Sequence, residues 1–91
     1  MRTIWKFALK TLDQQYIPMP VLSYPLSVQI QHGELVMWAV VEPDDIGAQM
    51  KVLIVGTGHP MPAGAFASNY IGTVQDGGLV WHVFNGGVQM P

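Results

Sequence analysis

The sequence predicts a small all-β domain, a sandwich or barrel of about six to seven short, mostly antiparallel strands that spans residues 1–91. Ten glycines and seven prolines interrupt the chain so often that no stretch reads as a long helix. Apolar and polar residues alternate in several short segments, which is the period of a strand with one buried face. Hydrophobic residues make up 49% of the chain and charged residues 11%, and this composition excludes a disordered protein.

The first segment, Thr3–Leu12, is ambiguous, because its apolar residues fit both a helical stripe and strand alternation. His32-Gly33 has the character of a two-residue hairpin turn, and Trp38 is expected in the core. Glu42–Gly47 has the composition of a loop. Four segments read as strands from their alternation, their flanking prolines or their continuous apolar character: Gln15–Met19, Leu26–Gln31, Glu34–Glu42 and Lys51–Val55.

The last part of the chain predicts a hairpin. Tyr70–Gln75 and Leu79–Phe84 are its strands, and Asp76-Gly77-Gly78 is its turn. The preceding segment, Gly56–Ser68, is rich in glycine and proline and is expected to be irregular. The tail, Asn85–Pro91, is expected to be a loose end or an arm.

Composition also limits the possible partners. The net charge is −2 with four basic residues, whereas tight binding to a nucleic-acid backbone usually involves about 6–10 phosphate contacts. The longest apolar run, Leu35–Val41, is far shorter than the roughly 20 residues that a membrane span requires. We therefore expect neither a nucleic-acid polymer nor a membrane as partner. The chain has no cysteine and no signal-peptide pattern at its start, which favours a cytoplasmic location.

The high apolar content predicts a homo-oligomer. A chain of this size buries only about 60–65% of its unfolded surface, so a good part of its apolar residues must lie outside the core. Those residues either form exposed patches on a monomer or contact another copy of the chain. We favour the second arrangement.

The segment Gly56-Thr57-Gly58-His59-Pro60 is the most informative candidate site. Glycines allow backbone N–H groups to converge on an anion, and the Thr57 hydroxyl can donate to a phosphate oxygen. The pattern lacks the lysine of a P-loop and the third glycine of a dinucleotide fingerprint. A tight connection that only requires positive φ explains it equally well.

Side chains from other segments complete the predicted site. Tyr70 and Trp81 lie on the strand pair next to the glycine segment and are candidates for stacking on a nucleobase. His82 alternates with Trp81 and can donate a hydrogen bond to a ligand, as can His59, although an imidazole more commonly just satisfies a carbonyl group. Arg2 and Lys6 are candidates for contacting phosphate.

Metal binding and catalysis receive little support from the residues. The three histidines, His32, His59 and His82, have no compact ligand spacing, so no metal and no cofactor are expected. The acidic cluster of Glu42, Asp44 and Asp45 lies in one loop, where solvation explains it. We therefore expect a protein that is not an enzyme.

Several motifs resemble those of a known family. Those in the second half of the chain are Gly56-Thr57-Gly58-His59-Pro60, Tyr70-Ile71-Gly72-Thr73 and Gly78-Leu79-Val80-Trp81-His82-Val83-Phe84, and the earlier ones are Thr3-Ile4-Trp5-Lys6, Leu26-Ser27-Val28-Gln29 and Met37-Trp38-Ala39-Val40-Val41. Together they resemble a domain-of-unknown-function family met mainly in phage and prophage genomes. The resemblance spans nearly the whole chain and favours an extended N-terminal segment, but it implies no assigned chemistry.

A phage context implies three functional hypotheses. The first is an anti-defence protein of the host-cell cytoplasm that sequesters a small nucleotide immune signal, of the cyclic nucleotide or cyclic ADP-ribose class, in pockets between copies without cleaving it. Nucleotide sponges of this kind are compact homo-oligomers, which is a likeness of class and not of sequence. The second is a protein–protein inhibitor of a host defence protein, and the third is a small virion assembly component.

Overall fold

The computed structural model describes residues 1–90 and consists of seven strands and one turn of 3₁₀ helix, Ala67–Asn69. The strands are β1 (Thr3–Ala8), β2 (Gln14–Pro20), β3 (Tyr24–Gln31), β4 (Glu34–Val41), β5 (Gly47–Gly56), β6 (Tyr70–Asp76) and β7 (Leu79–Gln89). They form a three-stranded sheet in the order β1-β4-β3 and a four-stranded sheet in the order β2-β5-β7-β6. Every neighbouring pair is antiparallel. The all-β prediction is confirmed, with two packed sheets.

The core lies between the inner faces of the two sheets. Period-two alternation sends every second side chain inward, and the inward residues form one cluster. Met37, Met50, Val52 and Val83 are its most deeply buried members. Phe7, Ile17, Ile30, Ile71 and Trp81 pack against this cluster from its border.

β5 is buried on both faces, as its continuous apolar run predicts. Val52 and Ile54 face the core, while Leu53 and Val55 belong to a second buried cluster with Ala65 and Phe84. Ala65 comes from the segment between β5 and β6, residues 57–69, so this segment folds back over the outer face of the four-stranded sheet. We call it the covering loop.

The two sheets are in close contact where β3 meets β6. A Cβ atom built on Gly72 would lie 2.8 Å from Val28 Cγ2, so the absence of a side chain at residue 72 permits the contact. Both strands are also irregular near this point, since their registers shift between Pro25 and Ser27 and between Tyr70 and Gly72.

The N-terminus is fixed to the end of β4. The Met1 ammonium group lies 2.7 Å from Glu42 Oε1, close to the Thr3–Val41 pair that begins the β1–β4 ladder. Its hydrogen bond to the carboxylate lowers the pKa of Glu42. Because the pKa of Glu42 is lower in the folded protein than in the unfolded chain, this ion pair stabilises the fold at pH values above the pKa of the unfolded carboxyl group. The stabilisation is lost as the pH falls through the pKa of Glu42 in the folded protein.

The structure resolves one ambiguity and corrects three expectations. Thr3–Ala8 is a strand, so the helical alternative is wrong. β5 begins at Gly47, four residues before the predicted start. Trp38 is half-buried and not in the core, because alternation places it on the face opposite Met37, beside Lys6 and Ser27 on the neighbouring strands.

The predicted loose tail is also wrong, because β7 continues to Gln89 along β5. The glycine pair in the tail forms a bulge instead of ending the strand: Val88 pairs with Met50 and Asn85 with Val52, so β7 carries one extra residue. Gly87 has φ +107°, and its N–H donates to Asn85 Oδ1 at 2.8 Å. Pro91 lies outside the described residues.

The close approach at residue 72 can be tested by adding a methyl group. We expect Gly72→Ala to lower the free energy of unfolding by about 1–3 kcal/mol, because the new Cβ atom overpacks against Val28. Gly78→Ala is the matched control, since a Cβ atom there has nothing within 4 Å. The control is expected to stay within about 0.5 kcal/mol in urea unfolding.

A double-mutant cycle with Val28→Ala identifies the cause. If the contact between residues 72 and 28 is responsible, Gly72→Ala will cost clearly less in the Val28→Ala background. An equal cost in both backgrounds would contradict this account.

Candidate functional site

The residues of the predicted site converge on the outer face of the four-stranded sheet. Cross-strand pairing places His82 of β7 beside Val55 of β5 on one side and Thr73 of β6 on the other. Thr57 follows the end of β5, and alternation from Val55 puts it on the same face. The covering loop packs over the neighbouring part of this face, where Ala65 is part of the second buried cluster with Val55.

Four polar side chains form a continuous hydrogen-bonded chain across the strands. Thr57 Oγ1 lies 2.7 Å from His82 Nε2, and Thr73 Oγ1 lies 3.0 Å from His82 Nδ1. The Tyr70 hydroxyl lies 2.5 Å from Thr73 Oγ1. We call Tyr70, Thr73, His82 and Thr57 the hydroxyl–imidazole chain.

Both tautomers of neutral His82 are compatible with this chain, because each neighbour is a hydroxyl that can donate or accept. When Nε2 carries the proton, hydrogen bonds run in one direction from Tyr70 through Thr73 and His82 to Thr57. The Thr57 hydroxyl proton is then available to a ligand. When His82 is protonated on both nitrogens, both threonine oxygens accept from it, and both threonine protons are available.

An apolar groove adjoins the hydroxyl–imidazole chain. One hollow of about 320 Å³ is lined by Val55, Gly56, Thr57, Gly58, His59, Met61, His82 and Phe84. A second, of about 270 Å³, is lined by Met61, Ala67, Tyr70 and Phe84. We call the two together the outer groove, since Met61 and Phe84 belong to both. The lining residues include no lysine, arginine, aspartate or glutamate.

Two aromatic rings line one end of the outer groove, and an amide side chain braces the covering loop beside it. The Tyr70 and Phe84 rings meet edge to face with centroids 5.7 Å apart, and Tyr70 remains 50% exposed. Asn69 braces the covering loop, because its Nδ2 donates to the Gly64 carbonyl oxygen and its Oδ1 accepts from the Phe66 N–H, both at 2.7 Å. The covering loop, which forms one wall of the groove, is therefore held in shape by its own hydrogen bonds.

The glycine segment is a turn held by its own backbone. The His59 N–H donates to the Gly56 carbonyl at 3.0 Å, and Gly58 has φ +88°. A Cβ atom on Gly56 would lie 3.0 Å from His59 Nδ1, so glycine there allows the imidazole to approach the backbone. Gly58 is thus the residue at which this turn needs a positive φ. The His59 side chain remains exposed.

Trp81 is separated from the rest of the predicted site. It alternates with His82 along β7 and therefore faces inward, where it packs against the border of the core cluster. Its Nε1 atom is buried without a hydrogen-bond partner in the part of the chain that the structure describes. Stacking on a ligand in the outer groove would need Tyr70, since Trp81 lies on the other face of the sheet.

Arg2 and Lys6 lie on the other sheet and do not join the outer groove within one protomer. Arg2 precedes β1, and Lys6 lies within β1 with its Nζ donating to Gln31 Oε1 at 2.9 Å. Among residues 1–90, no group of three or more histidine or acidic side chains is arranged to hold a metal ion. His32 sits in the β3–β4 turn with φ +52°.

Sequence reasoning missed five residues that the site contains: Thr73, Met61, Phe84, Val55 and Ala67. A signal for Thr73 was present in the predicted hairpin. A two-residue turn at Gly77-Gly78 pairs Asp76 with Leu79, and counting back along the ladder places Thr73 opposite His82. Met61 had no signal, because its position depends on the path of the covering loop.

The hydroxyl–imidazole chain makes a prediction about His82. Thr73→Val keeps the shape of the side chain but removes the Oγ1 atom that bonds His82 Nδ1, so we expect the His82 ring signals in NMR to shift, and the ring N–H signal to be lost if Nδ1 carries the proton. The free energy of unfolding is expected to fall by about 0.5–1.5 kcal/mol, the usual worth of one hydrogen bond. Thr11→Val, at an exposed threonine in the β1–β2 turn, is the control. An unchanged His82 signal in Thr73→Val would contradict the described network.

Comparisons with known proteins give the family but no activity. No helix in the described residues is long and apolar enough to cross a membrane. No curated protein and no solved structure matches the sequence. One family model does match, over residues 1–90, and by this match the chain belongs to the family described as a domain of unknown function, DUF7352.

Proposed function

We propose that this protein is a phage-type anti-defence binding protein that captures a small nucleotide signal in the outer groove and does not cleave it. The observation that carries the proposal is the hydroxyl–imidazole chain, an exposed row of polar groups beside an apolar floor. Small-ligand sites commonly combine an apolar lining with a few converging polar groups. The family resemblance to phage and prophage proteins supports the anti-defence part.

Each part of a nucleotide has a candidate contact in the outer groove. The half-exposed Tyr70 ring and the Met61 side chain offer a surface for the base. Thr57 and Thr73 offer hydroxyl donors to ribose or phosphate oxygens. His82 is hydrogen-bonded to both hydroxyl groups and can therefore orient them. The two hollows, of about 320 and 270 Å³, are similar in size to the smaller ligand pockets of proteins, about 300 Å³.

Capture without cleavage is supported by the chemistry of the lining. His82 is bonded on both sides to hydroxyl groups, and the groove lining contains no carboxylate to orient it or to share acid–base work. The lining also contains no cation. Neutralisation of phosphate by Arg2 or Lys6 would therefore require another copy, in a contact that brings its β1 to the outer groove.

A second candidate function, inhibition of a host protein by direct contact, is favoured by the outer face of the three-stranded sheet. Ile4 and Tyr24 are 55% and 65% exposed there, and both flank Val40, next to the half-buried Trp38. This surface lies on the opposite side of the sandwich from the outer groove. Mutations can therefore separate the two functions.

Ligand capture can be tested with a panel of cyclic dinucleotides, cyclic mononucleotides and cyclic ADP-ribose isomers. We expect calorimetric heats with at least one member, and recovery of the intact ligand after the protein is denatured. Tyr70→Ala is expected to weaken binding by roughly 5- to 150-fold, which corresponds to about 1–3 kcal/mol of lost stacking. Tyr24→Ala, at an exposed tyrosine on the other sheet, is the matched control and should bind normally.

Two results would contradict this proposal. The absence of heat across the whole panel would exclude capture of this ligand class, and recovery of a cleaved product would make the protein a catalyst. Co-purification of a host protein that is lost in Tyr24→Ala but retained in Tyr70→Ala would favour the second candidate function instead.

A further inference from the structure

The edge strands of the two sheets differ in how they are protected from pairing with another chain. β2 is an edge of the four-stranded sheet, and its odd-numbered residues bond to β5, because the Ile54 N–H donates to the Asp13 carbonyl at 3.1 Å. Its even-numbered residues therefore direct their backbone outward. Pro18 and Pro20 occupy two of these outward positions and have no N–H to offer.

The edges β3 and β6 are protected in another way. Each carries a register irregularity, and the two strands lie against each other where Gly72 contacts Val28. Bulges and covered edges both prevent the addition of a further strand.

β1 has none of these protections. Its six residues pair with β4 without a register shift, and it contains no proline. The Leu9 N–H donates to the Leu35 carbonyl at 2.9 Å, so odd-numbered residues of β1 bond to β4. Ile4, Lys6 and Ala8 therefore direct their N–H and C=O groups away from the sheet, in a regularly spaced row of donors and acceptors that nothing in residues 1–90 pairs with.

Apolar side chains accompany this free backbone. Ile4 is 55% exposed and Trp5 41%, and the Trp5 ring lies 6.4 Å from that of Phe7 at the open border between the sheets. Lys6 is the only charged residue within β1, and a regular edge with exposed large apolar side chains is a template for strand addition when the register leaves such a charge unopposed.

We infer that β1 is a self-association strand: two copies of the chain pair β1 against β1 in antiparallel orientation and join their three-stranded sheets into one. A two-fold axis normal to the sheet keeps the inner faces on the same side. Directly opposed residues then have side chains on the same face, so an even-numbered residue pairs with an even-numbered one and an odd-numbered residue with an odd-numbered one. The sum of the two residue numbers is therefore even. Registers with Trp5 or Lys6 on the axis pair five of the six residues of β1, whereas registers with Ile4 or Phe7 on the axis pair only three and are disfavoured by their short overlap.

The basic residues distinguish these registers. With Ile4 on the axis, Arg2 faces the partner's Lys6. With Lys6 on the axis, Lys6 faces the partner's Lys6 and Arg2 faces the partner's Lys10. With Trp5 on the axis, Ile4 faces the partner's Lys6 and Arg2 faces the partner's Ala8, so no like charges are opposed. Directly opposed like charges destabilise an antiparallel pair, so charge selects the Trp5 register.

The Trp5 register also satisfies the backbone. The outward groups of Ile4 and Lys6 exchange hydrogen bonds across the axis in both directions. Trp5 becomes a pair without backbone hydrogen bonds, in which the Cα atoms lie about 4.5 Å apart and the side chains are closest. The two Trp5 rings then cover each other.

Because the chain has no cysteine, single-cysteine variants can report the register. We expect Trp5→Cys to form a disulfide-linked dimer under mild oxidation, since a disulfide spans Cα separations of about 4.4–6.8 Å. Ile4→Cys and Lys6→Cys are expected to remain uncrosslinked, because each lies out of register with its own copy. Crosslinking of Lys6→Cys or Ile4→Cys in place of Trp5→Cys would overturn the register.

A proline variant tests the association without altering Trp5. Lys6→Pro removes an N–H that faces the free edge and is not bonded to β4, so the fold is expected to survive. We expect the native protein to have twice the chain mass by light scattering at micromolar concentration, Lys6→Pro to have the chain mass, and Lys6→Ala to match the native protein. A monomeric native protein would overturn the inference, as would a dimeric, folded Lys6→Pro.

This inference goes beyond the proposed ligand capture and does not depend on it, because β1 and the outer groove belong to different sheets. Monomeric Lys6→Pro and dimeric Lys6→Ala can be titrated with the same ligand panel, and because both lack the Lys6 ammonium group, a difference between them reports the effect of dimerisation alone. If Lys6→Pro still binds, the groove functions within one protomer. If native dimers bind nothing, only the proposed capture has failed.

Discussion

The burial of β5 on both faces is the constraint on which the candidate site depends. In a sandwich with a single core, Leu53 and Val55 would face water, since alternation directs them away from Val52 and Ile54. Here Ala65 and Phe84 cover them, and this holds the covering loop against the sheet. The loop begins at Thr57, so the same packing fixes Thr57 beside His82 and forms the outer groove as a by-product of satisfying an apolar strand.

Strand positions were largely predictable from the sequence because alternation and turn residues are local signals. The side-chain faces were less so. Trp38 reads as core within an unbroken apolar run, yet it shares a strand with the deeply buried Met37 and must face the other way. Trp81 and His82 are neighbours on β7, so they cannot both face one groove. Strict alternation, applied to these two pairs, would have separated them.

Irregularities in the ladders explain what sequence reasoning could not supply. The shift between Tyr70 and Gly72 adds one residue to β6, so Tyr70 and Thr73 share a face although their spacing in an unbroken strand would oppose them. The Gly86-Gly87 bulge continues β7 where glycine composition favoured a loose end. A bulge depends on the partner strand and on the packing around it, and a single strand's sequence carries no record of either.

Because charged residues are few and unevenly placed, the β1 edge and the outer groove differ in their electrostatic character. Three of the four basic residues, Arg2, Lys6 and Lys10, lie in β1 or directly beside it. On a charge-poor surface, such a local concentration determines which register of a strand pair avoids repulsion, although it contributes little to affinity. The outer groove, by contrast, has no formal charge in its lining and relies on hydroxyl and imidazole dipoles. Because the His82 imidazole is hydrogen-bonded to both threonine hydroxyls, it couples the orientations of these two groups across the strands.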